Sequence, residues 1–455
     1  MQKPHKPVRE ESFAHGVAPL SDEDRAEGIR CYMRHAVWNG LGINLLNVNI
    51  ISILAITYGA TNLQLGYISS TFHVAGIVLV LLPKLLHGVN IRTVFFTAWF
   101  LRGMICFCYA SLFFISDQQA VTVIMLIYTA FAILRSAGIP MHHPLQRQLL
   151  RPAEEGRFIS RLHFRLSISQ LLSQVLSFLF LSMQFAAGTA ALVCIPLFGA
   201  GCNTVAAYYI KRIPSNEHVA YRTGRTVFVL FRETMQHRER SRVVIAYWLG
   251  LSSMIVFAFG IAFLQREAGL PTHMVFLYTI GIAIAAIAAS SFVRPFADRM
   301  GSRPLLILSY LFLIAGAGAW AFVSPDLPWI LYYLLGFFCY FFLRLVLLLV
   351  SRLIVRALPA RDRIAYTSML HFFGAIMALG VGLLSGRLAD WGQSLHFFGY
   401  SLPHQYSLTF VFGTLLSLAA MLTGYGMKDP GSMSLRQSAG ILLSLRNLRA
   451  FLRGT

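Results

Sequence analysis

Three arginines lie well away from the ends of long apolar stretches in this 455-residue chain: Arg102, Arg135 and Arg344. A charged side chain at the centre of a bilayer costs about 2.5–3.5 kcal/mol on insertion scales, so such residues are usually functional. No Asp or Glu lies deep within the same stretches. Because a planar guanidinium pairs bidentately with a carboxylate or a phosphate, the pattern predicts a site for an anionic or strongly polar small molecule.

Aromatic residues precede two of these arginines at helical spacing, so one face of each helix would carry a cation and several rings. The two sets are Arg135, Phe131 and Tyr128, and Arg344, Tyr340, Phe337 and Tyr333. We predict that both faces line a solute path. The alternative is that the two arginines hold backbone carbonyls near the ends of their helices.

Other polar side chains in apolar stretches are further candidates for the path. Arg102 lies nearer the middle of its stretch, and we expect it to pair with a carbonyl or with His73. Asn44 and Asn47 share a helical face with Gly40. Amides on such a face bind polar solutes or form hydrogen bonds between helices, and the sequence leaves both uses open.

A stripe of polar residues runs along the apolar stretch 164–186, beginning one residue before it. It consists of His163, Ser167, Gln170, Gln174 and Ser177, at steps of three and four residues. Such a stripe must face protein or water, and we include Gln170 and Gln174 in the predicted path, with packing against another helix as the alternative. His163 and His371 each stand at the start of a stretch, where solvated histidines are common.

The composition identifies the elements that position these residues as membrane helices. Hydrophobic residues make up 56% of the chain and charged residues only 12%, against about 25% in ordinary soluble domains. A bilayer core about 30 Å thick needs roughly 20 apolar residues per helix. Twelve such stretches lie near 35–58, 62–83, 93–116, 119–140, 164–186, 188–210, 243–264, 272–293, 304–323, 328–350, 367–389 and 405–425. We therefore predict an all-α membrane protein with twelve spans.

The net charge of +20 follows the topology of these spans. Even-numbered connections and the two ends hold 33 of the 38 Lys and Arg, whereas the odd-numbered connections hold only Arg266. This asymmetry predicts that both termini are cytoplasmic. Basic character is therefore a topology signal, and we expect no nucleic-acid partner. The first 34 residues are polar and show no cleavable signal peptide.

The chain divides into two similar halves. The basic connection 211–242 separates six spans from six, and residues of the first half match the second at a nearly constant offset, as Arg135 matches Arg344 and Arg147 matches Arg356. A duplicated six-helix unit is typical of transporters. The predicted parts are an N-terminal segment 1–34, a bundle 35–210, a central loop 211–242, a bundle 243–425 and a basic amphipathic tail 426–455 on the membrane surface.

The connection RPFADRMGSRP, residues 294–304, resembles the loop signature of the major facilitator superfamily, Gly-x-x-x-Asp-Arg-x-Gly-x-Arg/Lys. The matching positions are Asp298, Arg299, Gly301 and Arg303. Arg294 replaces the leading glycine, and the first-half copy PKLLHGVNIR carries His87 in place of the acid. Gly301 would permit the chain to reverse, and Asp298 would accept from a helix N-terminus or an arginine.

A second segment, Arg135-Ser-Ala-Gly138, is similar to an Arg-x-x-Gly element in the fourth span of the same family. The resemblance implies two pseudo-symmetric six-helix bundles, a central cavity lined by spans 1, 4, 7 and 10, and a cytoplasmic latch between the halves at residues 298–303. It also implies a bacterial member in the cytoplasmic membrane.

These features predict a secondary or facilitative transporter of a small polar, possibly anionic, organic solute. The alternative is a membrane sensor that binds solute without moving it. An enzyme is not expected, because the chain has no paired carboxylates within spans, no Gly-x-Ser-x-Gly turn and no phosphate-binding Gly-x4-Gly-Lys loop. We expect no cofactor, no metal site, six reduced cysteines and a monomer. Standard proton coupling through buried carboxylates is disfavoured, histidine could substitute, and uniport or anion exchange stays open.

Overall fold

The computed structural model describes residues 20–151, 154–183, 188–219, 226–358, 363–394, 396–397, 400–442 and 444. Twelve helical segments in these ranges are long and apolar enough to cross a membrane, so the prediction of twelve spans is confirmed. Since the number of spans is even, the first and last begin and end on the same side, which we call the termini side. The opposite side is called the far side.

The first six spans are formed by helices α1 to α9. Their bounds are α1 Asp22–Leu45, α2 Val48–Thr57, α3 Asn62–Val74, α4 Leu82–Leu85, α5 Ile91–Cys106, α6 Asp117–Gly138, α7 His142–Leu149, α8 Glu155–Ser182 and α9 Thr189–Lys211. Spans 2 and 3 finish as 3-10 helix, over Ala75–Val80 and Phe107–Phe113, and a third 3-10 turn, Ile139–Met141, joins α6 to α7.

The second six spans are formed by helices α11 to α17. The bounds in this part are α10 Val227–Gln236, α11 Arg238–Phe257, α12 Phe259–Arg266, α13 Thr272–Met300, α14 Ser302–Phe322, α15 Trp329–Ala357, α16 Arg363–Gly392, α17 Ser407–Tyr425 and α18 Leu435–Leu442. Between α16 and α17, strands β1 His396–Phe397 and β2 Tyr400–Ser401 pair antiparallel, with His396 opposite Ser401.

Several helices begin earlier than the apolar stretches predict, and α1 and α11 are two examples. Helix α1 starts at Asp22, where the Ser21 hydroxyl accepts from the backbone N–H of Asp24. Helix α11 starts at Arg238, inside the predicted central loop 211–242, and that loop also contains α10. These helices continue beyond the apolar region because water and capping side chains can bond to the unpaired backbone N–H groups at their ends.

Spans 1 and 7 are both broken at repeat-equivalent positions. Span 1 changes from α1 to α2 at Leu46–Asn47, where the Asn47 side chain accepts from the backbone N–H of Ile50 at 3.1 Å. Span 7 changes from α11 to α12 at Ala258, 211 residues after Asn47. The Tyr340 hydroxyl of span 10 donates to the Phe257 carbonyl at 3.3 Å and so satisfies part of this second break. Matching breaks agree with a duplicated unit.

The halves meet along spans 2 and 11, and also through α8 with α13 and α2 with α12. The spans 2 and 11 approach so closely that a methyl group on Gly66 would overlap the carbonyl oxygen of Gly382. A methyl group on Gly386 would likewise overlap the backbone of Asn62. Small residues are what allow helix backbones in a membrane to touch in this way. One continuous apolar core therefore includes residues of both halves.

On the termini side, the segment after span 6 is tied to the loop before α5. The backbone of Val219 exchanges hydrogen bonds with Val89 at 2.8 Å and Gly88 at 3.0 Å, and the N–H of Ile91 donates to the Glu217 carbonyl at 3.0 Å. The Glu217 carboxylate also pairs with Arg147 at 2.9 Å. The first half of the central loop is thus part of the first bundle.

The segment after span 12 is tied to the loop before α14 in a similar way. The buried Asp429 carboxylate accepts from the backbone N–H groups of Ser302 at 2.7 Å and Arg303 at 3.1 Å, and from the Arg356 guanidinium at 2.8 Å. The N–H of Met433 donates to the Met300 carbonyl at 2.8 Å. Helix α18 then packs on α14. The expected membrane-surface helix continues into residues 445–455, which lie outside the described ranges, so that part stays a prediction.

Candidate functional site

Arg135 lies where spans 2 and 4 of the first half face span 11. Its guanidinium is 4.7 Å from the ring centroid of Phe72 on α3. Phe72 also packs against Tyr128 at 5.1 Å and Phe131 at 5.9 Å, so the predicted aromatic stripe of span 4 is covered by span 2. Arg135 is half-buried and forms no hydrogen bond or ion pair with the described residues. The alternative, in which Arg135 bonds to backbone carbonyls near the end of its helix, is therefore not seen among these residues.

Tyr128 is a buried member of this stripe. Its side chain is 1% exposed, its ring stacks on Phe131 at 6.2 Å, and its hydroxyl has no hydrogen-bond partner among the described residues. A buried hydroxyl without a partner costs free energy, and a ligand that supplies the partner is one way to offset that cost. Tyr128 therefore stays a candidate for the path.

Two histidines lie on the spans that face Arg135. His73 follows Phe72 on α3, and His371 lies on α16 of the other half. A methyl group on Gly76 would lie 3.0 Å from the His371 carbonyl oxygen, so spans 2 and 11 touch at this level. His371 is half-buried at an inter-half contact, unlike the solvated histidine expected from its position, whereas His163 is exposed.

Arg344 occupies the equivalent position on span 10. It is exposed, and it forms no hydrogen bond or ion pair with the described residues. Phe337, two turns earlier, is 37% exposed on the same face. The other predicted members of this stripe instead hold neighbouring spans, because the Tyr333 hydroxyl donates to the Met274 carbonyl at 2.5 Å and Tyr340 donates at the break of span 7. The stripe of span 10 is therefore divided between packing and an open face.

Arg102 lies behind this stripe, 5.5 Å from the ring centroid of Phe131. The expected pairing with His73 is wrong, and the carbonyl oxygens that Arg102 contacts are those of side-chain amides. The side chain is 1% exposed, and its guanidinium donates to the Asn39 amide oxygen at 2.5 Å and to the Asn203 amide oxygen. It lies 3.9 Å from the Trp99 ring centroid. All of these partners belong to the first bundle, so Arg102 ties spans 1, 3 and 6 together. Both amide oxygens accept from the same guanidinium nitrogen, Nη2, whereas the buried Nε has no partner among the described residues.

The amides predicted for spans 1 and 5 bond to each other. Asn44 donates to the Ser173 hydroxyl at 3.0 Å and the Gln170 carbonyl at 3.2 Å, and Gln174 donates to the Asn44 side chain at 3.2 Å. Asn47 also donates to Asn44, at 3.0 Å. The polar stripe of span 5 thus joins span 1 beside its break. Of the two uses left open by the sequence, the described contacts show the interhelical one.

Two of the predicted latch residues, Asp298 and Arg303, bond within the second half. Asp298 pairs with Arg352 of span 10 at 2.5 Å, and Arg303 donates to the Tyr425 carbonyl at 2.8 Å. Gly301 has φ +89°, and a methyl group there would overlap Ser432, so glycine is required for the reversal. The expected latch between the two halves is not formed by these contacts. The acid that caps α14 is Asp429 from the tail, which sequence reasoning missed.

A polar seal joins the halves on the far side. Arg266 of span 7 donates to the Asn62 side chain at 2.8 Å and to the Ala60 carbonyl, both in the first half. Asn62 is 4% exposed and donates to Asp390 of span 11 at 2.9 Å, and it accepts from Tyr406 at 3.2 Å. The sequence held a signal for this seal, because Arg266 is the one cation in the odd-numbered connections.

The halves are also close below this seal. A gap between spans 1, 2 and 7 is too narrow to hold a water molecule. It is lined by Ser52, Ile56, Leu65 and Ser69 from the first half and Ala258, Phe259 and Ala262 from the second. The far side of the inter-half interface is therefore closed at both the polar seal and the apolar layer beneath it.

A sequence model described as Major Facilitator Superfamily matches residues 36–364, which is well over half of the chain. No protein of curated function matches the sequence.

Several solved structures share the fold. The nucleoside transporter NupG superposes with a TM-score of 0.62 at 14% identity, covering 89% of this chain and 100% of its own. A D-xylose–proton symporter gives a TM-score of 0.65 at 14% identity, with 90% and 99% covered. A bacterial homologue of the human lysosomal transporter Spinster, in an inward-facing and unoccupied conformation, gives 0.57 at 13% identity, with 95% and 99% covered. Identities this low establish the twelve-helix architecture and leave the solute open.

Proposed function

The chain belongs to the major facilitator superfamily, a family of transporters, and from that premise we propose that it moves a small polar solute carrying an anionic group by alternating access. The observation that carries this proposal is the pair Arg135 and Arg344. They stand at equivalent positions of spans 4 and 10, and neither is bonded to a described residue. Guanidinium groups held in this way suit a carboxylate or phosphate ligand.

The faces that carry the two arginines support a shared path. On span 4 this face is covered by Phe72 of span 2, beside the second half. On span 10 the equivalent face, with Phe337 and Arg344, is exposed. Because the two halves are repeats, equivalent faces are directed toward the same central axis. An arginine from each half would then face the solute from opposite sides.

The contacts between the halves support alternating access. Arg266, Asn62 and Asp390 close the far side with hydrogen bonds, which are individually weak enough to exchange during a transport cycle. The amide network and Arg102 lie inside the first bundle and keep it rigid. Rigid bundles joined by a reversible seal are what rocking of two repeats requires.

We place the termini side in the cytoplasm, because the connections on that side hold most of the Lys and Arg. We also propose a bacterial cytoplasmic membrane as the location and a monomer as the working form. Labelling of the termini from each side of the membrane tests the orientation, and the mass of the detergent-solubilised protein tests the monomer.

The test is solute flux into proteoliposomes that contain the full chain. Succinate and glycerol 3-phosphate serve as anionic solutes, and xylose and uridine as uncharged ones. Saturable uptake of an anion, absent from protein-free vesicles, is expected. Saturable binding without uptake would indicate the sensor alternative, and neither binding nor uptake of any of the four solutes would contradict the proposal.

A further inference from the structure

Three cations lie over aromatic rings where spans 1, 3 and 6 reach the termini side. Measured from cation to ring centroid, the pairs are Arg34 with Tyr209 at 5.9 Å, Lys211 with Phe96 at 5.7 Å and Arg212 with Tyr208 at 4.5 Å. The two tyrosine rings are 5.7 Å apart, and α9 packs against both α1 and α5. The six side chains therefore form one surface, which we call the basic–aromatic patch.

The patch provides donors but no acidic partner for them. All three cations are exposed, and within the residues that the structure describes they form no ion pair. Their side chains make one hydrogen bond there, from Arg212 to the Tyr208 hydroxyl. Glu27 of α1 is already bonded to Arg30 at 2.7 Å and to the Cys31 thiol at 3.3 Å. The free N–H groups of the patch are thus available to an anion from outside the protein.

The equivalent end of the second half is different. Arg303 and Arg242 there donate to backbone carbonyls at the end of α17. Lys428 pairs with Glu239 at 2.6 Å. These cations are bonded within the protein, although the same side of the membrane is basic in both halves. Cations held over rings without an acceptor are therefore a particular feature of spans 1, 3 and 6, and the positive-inside asymmetry does not by itself explain them.

An apolar surface continues from the patch toward the middle of the membrane. Phe100 lies one turn deeper than Phe96 on α5, stacks on it at 5.6 Å and is 37% exposed. Val205 lies one turn deeper than Tyr209 on α9 and is also 37% exposed. Tyrosines mark the level of lipid headgroups in membrane proteins. A phosphate bound by the cations would therefore have apolar side chains directly beneath it, as the acyl chains of a phospholipid require.

We propose that the basic–aromatic patch is a binding site for an anionic phospholipid. Lys211 and Arg212 contact the lipid phosphate, Arg34 contacts the headgroup from α1, and the acyl chain lies along Phe100 and Val205. Lys and Arg next to a membrane each add attraction to anionic headgroups, and the rings beneath the cations hold them in place. The bound lipid joins α1 and α9 at their termini-side ends. The site does not depend on which solute the protein carries.

Native mass spectrometry of the full chain in detergent tests the site, with phosphatidylglycerol and phosphatidylcholine of the same acyl chains as probes. The Kd of the first bound lipid should be at least about tenfold lower for phosphatidylglycerol. The triple variant Arg34→Gln, Lys211→Gln and Arg212→Gln should weaken that lipid at least about thirtyfold, and Arg212→Gln alone about fivefold. Binding of phosphatidylcholine should stay unchanged. Since the three side chains are exposed, the unfolding temperature without lipid should stay near that of the wild type.

A matched control removes the same charge from the same side. The triple variant Arg157→Gln, Arg161→Gln and Arg165→Gln changes three exposed arginines of α8 and should keep the wild-type affinity for phosphatidylglycerol. Equal weakening in the two triple variants would show a general attraction to basic surface and overturn the site. Unchanged affinity in the patch variants would overturn it as well.

Inorganic phosphate separates a lipid from a free anion. Phosphatidylglycerol should raise the unfolding temperature of the wild type in detergent, and this rise should disappear in the patch triple variant. Inorganic phosphate should have no such effect, because it lacks the acyl chains that contact the apolar surface. Equal stabilisation by inorganic phosphate would contradict a lipid as the ligand.

Discussion

The carboxylate of Asp429 lies 2.8 Å from the guanidinium of Arg356 and is buried to 1% exposure, although it belongs to the tail after the last span. A more exposed acid–arginine pair, Glu217 with Arg147 at 2.9 Å, involves the segment after the last span of the first half. Arg147 and Arg356 are repeat-equivalent. Each bundle is therefore fastened on the termini side by an acid from the segment that leaves it.

Asp429→Ala should destabilise the protein by about 2–3 kcal/mol, because it removes the cap of α14 and the acceptor of a charged hydrogen bond. The measurement is thermal unfolding in detergent. Glu239→Ala is the matched control, since its pair with Lys428 at 2.6 Å is exposed on both sides and such pairs stabilise little. Equal shifts in the two variants would show that burial of Asp429 contributes nothing.

Asn203→Leu should destabilise the first bundle by about 1.5–3 kcal/mol, because it deprives the buried Arg102 of one of its two amide acceptors. Its effect on the affinity for transported solute should be small, since both acceptors of Arg102 and the ring of Trp99 lie inside the first bundle. Thr204→Val is the neighbouring control, because that hydroxyl bonds only to Ala200 of its own helix. A large loss of solute affinity with unchanged stability would return Arg102 to the solute path.

Arg266→Ala should open the far side more often, because the side chain holds both Asn62 and the Ala60 carbonyl of the other half. A cysteine placed at Ser69 in the gap beneath the seal reports this opening. In a background with Cys108 and Cys194 replaced by serine, its labelling by a membrane-impermeant maleimide should rise about tenfold. Arg387→Ala should leave labelling unchanged, and equal labelling in both would show that the seal does not hold this side closed.

Arg344→Ala should weaken binding of the anionic solute at least about tenfold while leaving the unfolding temperature without ligand nearly unchanged, because the side chain is exposed and unbonded among the described residues. Thermal unfolding with and without succinate or glycerol 3-phosphate measures both quantities. Equal stabilisation of wild type and variant by the anion would remove Arg344 from the site.

His404 should make stability fall in acid. Burial lowers the pKa of His404 to about 4, partly offset by its hydrogen bond to the Trp320 carbonyl. Because the folded state binds this proton less readily than the unfolded state, stability is present above about pH 6.5 and is lost as pH falls toward about pH 4. The unfolding temperature measured at several pH values should decline less steeply in His404→Gln, and identical slopes would refute the assignment.

The order of the spans was predictable from sequence because lipid demands about 20 apolar residues for every crossing. The sequence does not show which face of a span packs against other spans, because lipid-facing and core-facing residues are both apolar. The partners of Arg102 show this limit. Asn39 lies on span 1 and Asn203 on span 6, and only the bundle geometry brings them to one guanidinium.

Other features that the sequence did not predict depend on contacts between residues far apart in the chain. The cap of α14 comes from Asp429, 127 residues after Ser302, and no local spacing indicates it. The break of span 1 is different, because Asn47 is a favoured cap residue and the sequence already placed it within an apolar stretch. The sequence predicted Asn47 for the solute path or for hydrogen bonds between helices, and its role as a cap is visible only from where α2 begins.

The backbone contact of Gly66 with Gly382 constrains how the two bundles can move. No side chain stands between the spans there, so a tilt about this line requires no rotamer to change and no interlocked side chain to withdraw. The contact between the halves at this point is made by backbone atoms of two glycines. A methyl group added to either glycine would push spans 2 and 11 apart. Each bundle would keep its fold, but the two bundles would no longer be aligned with each other.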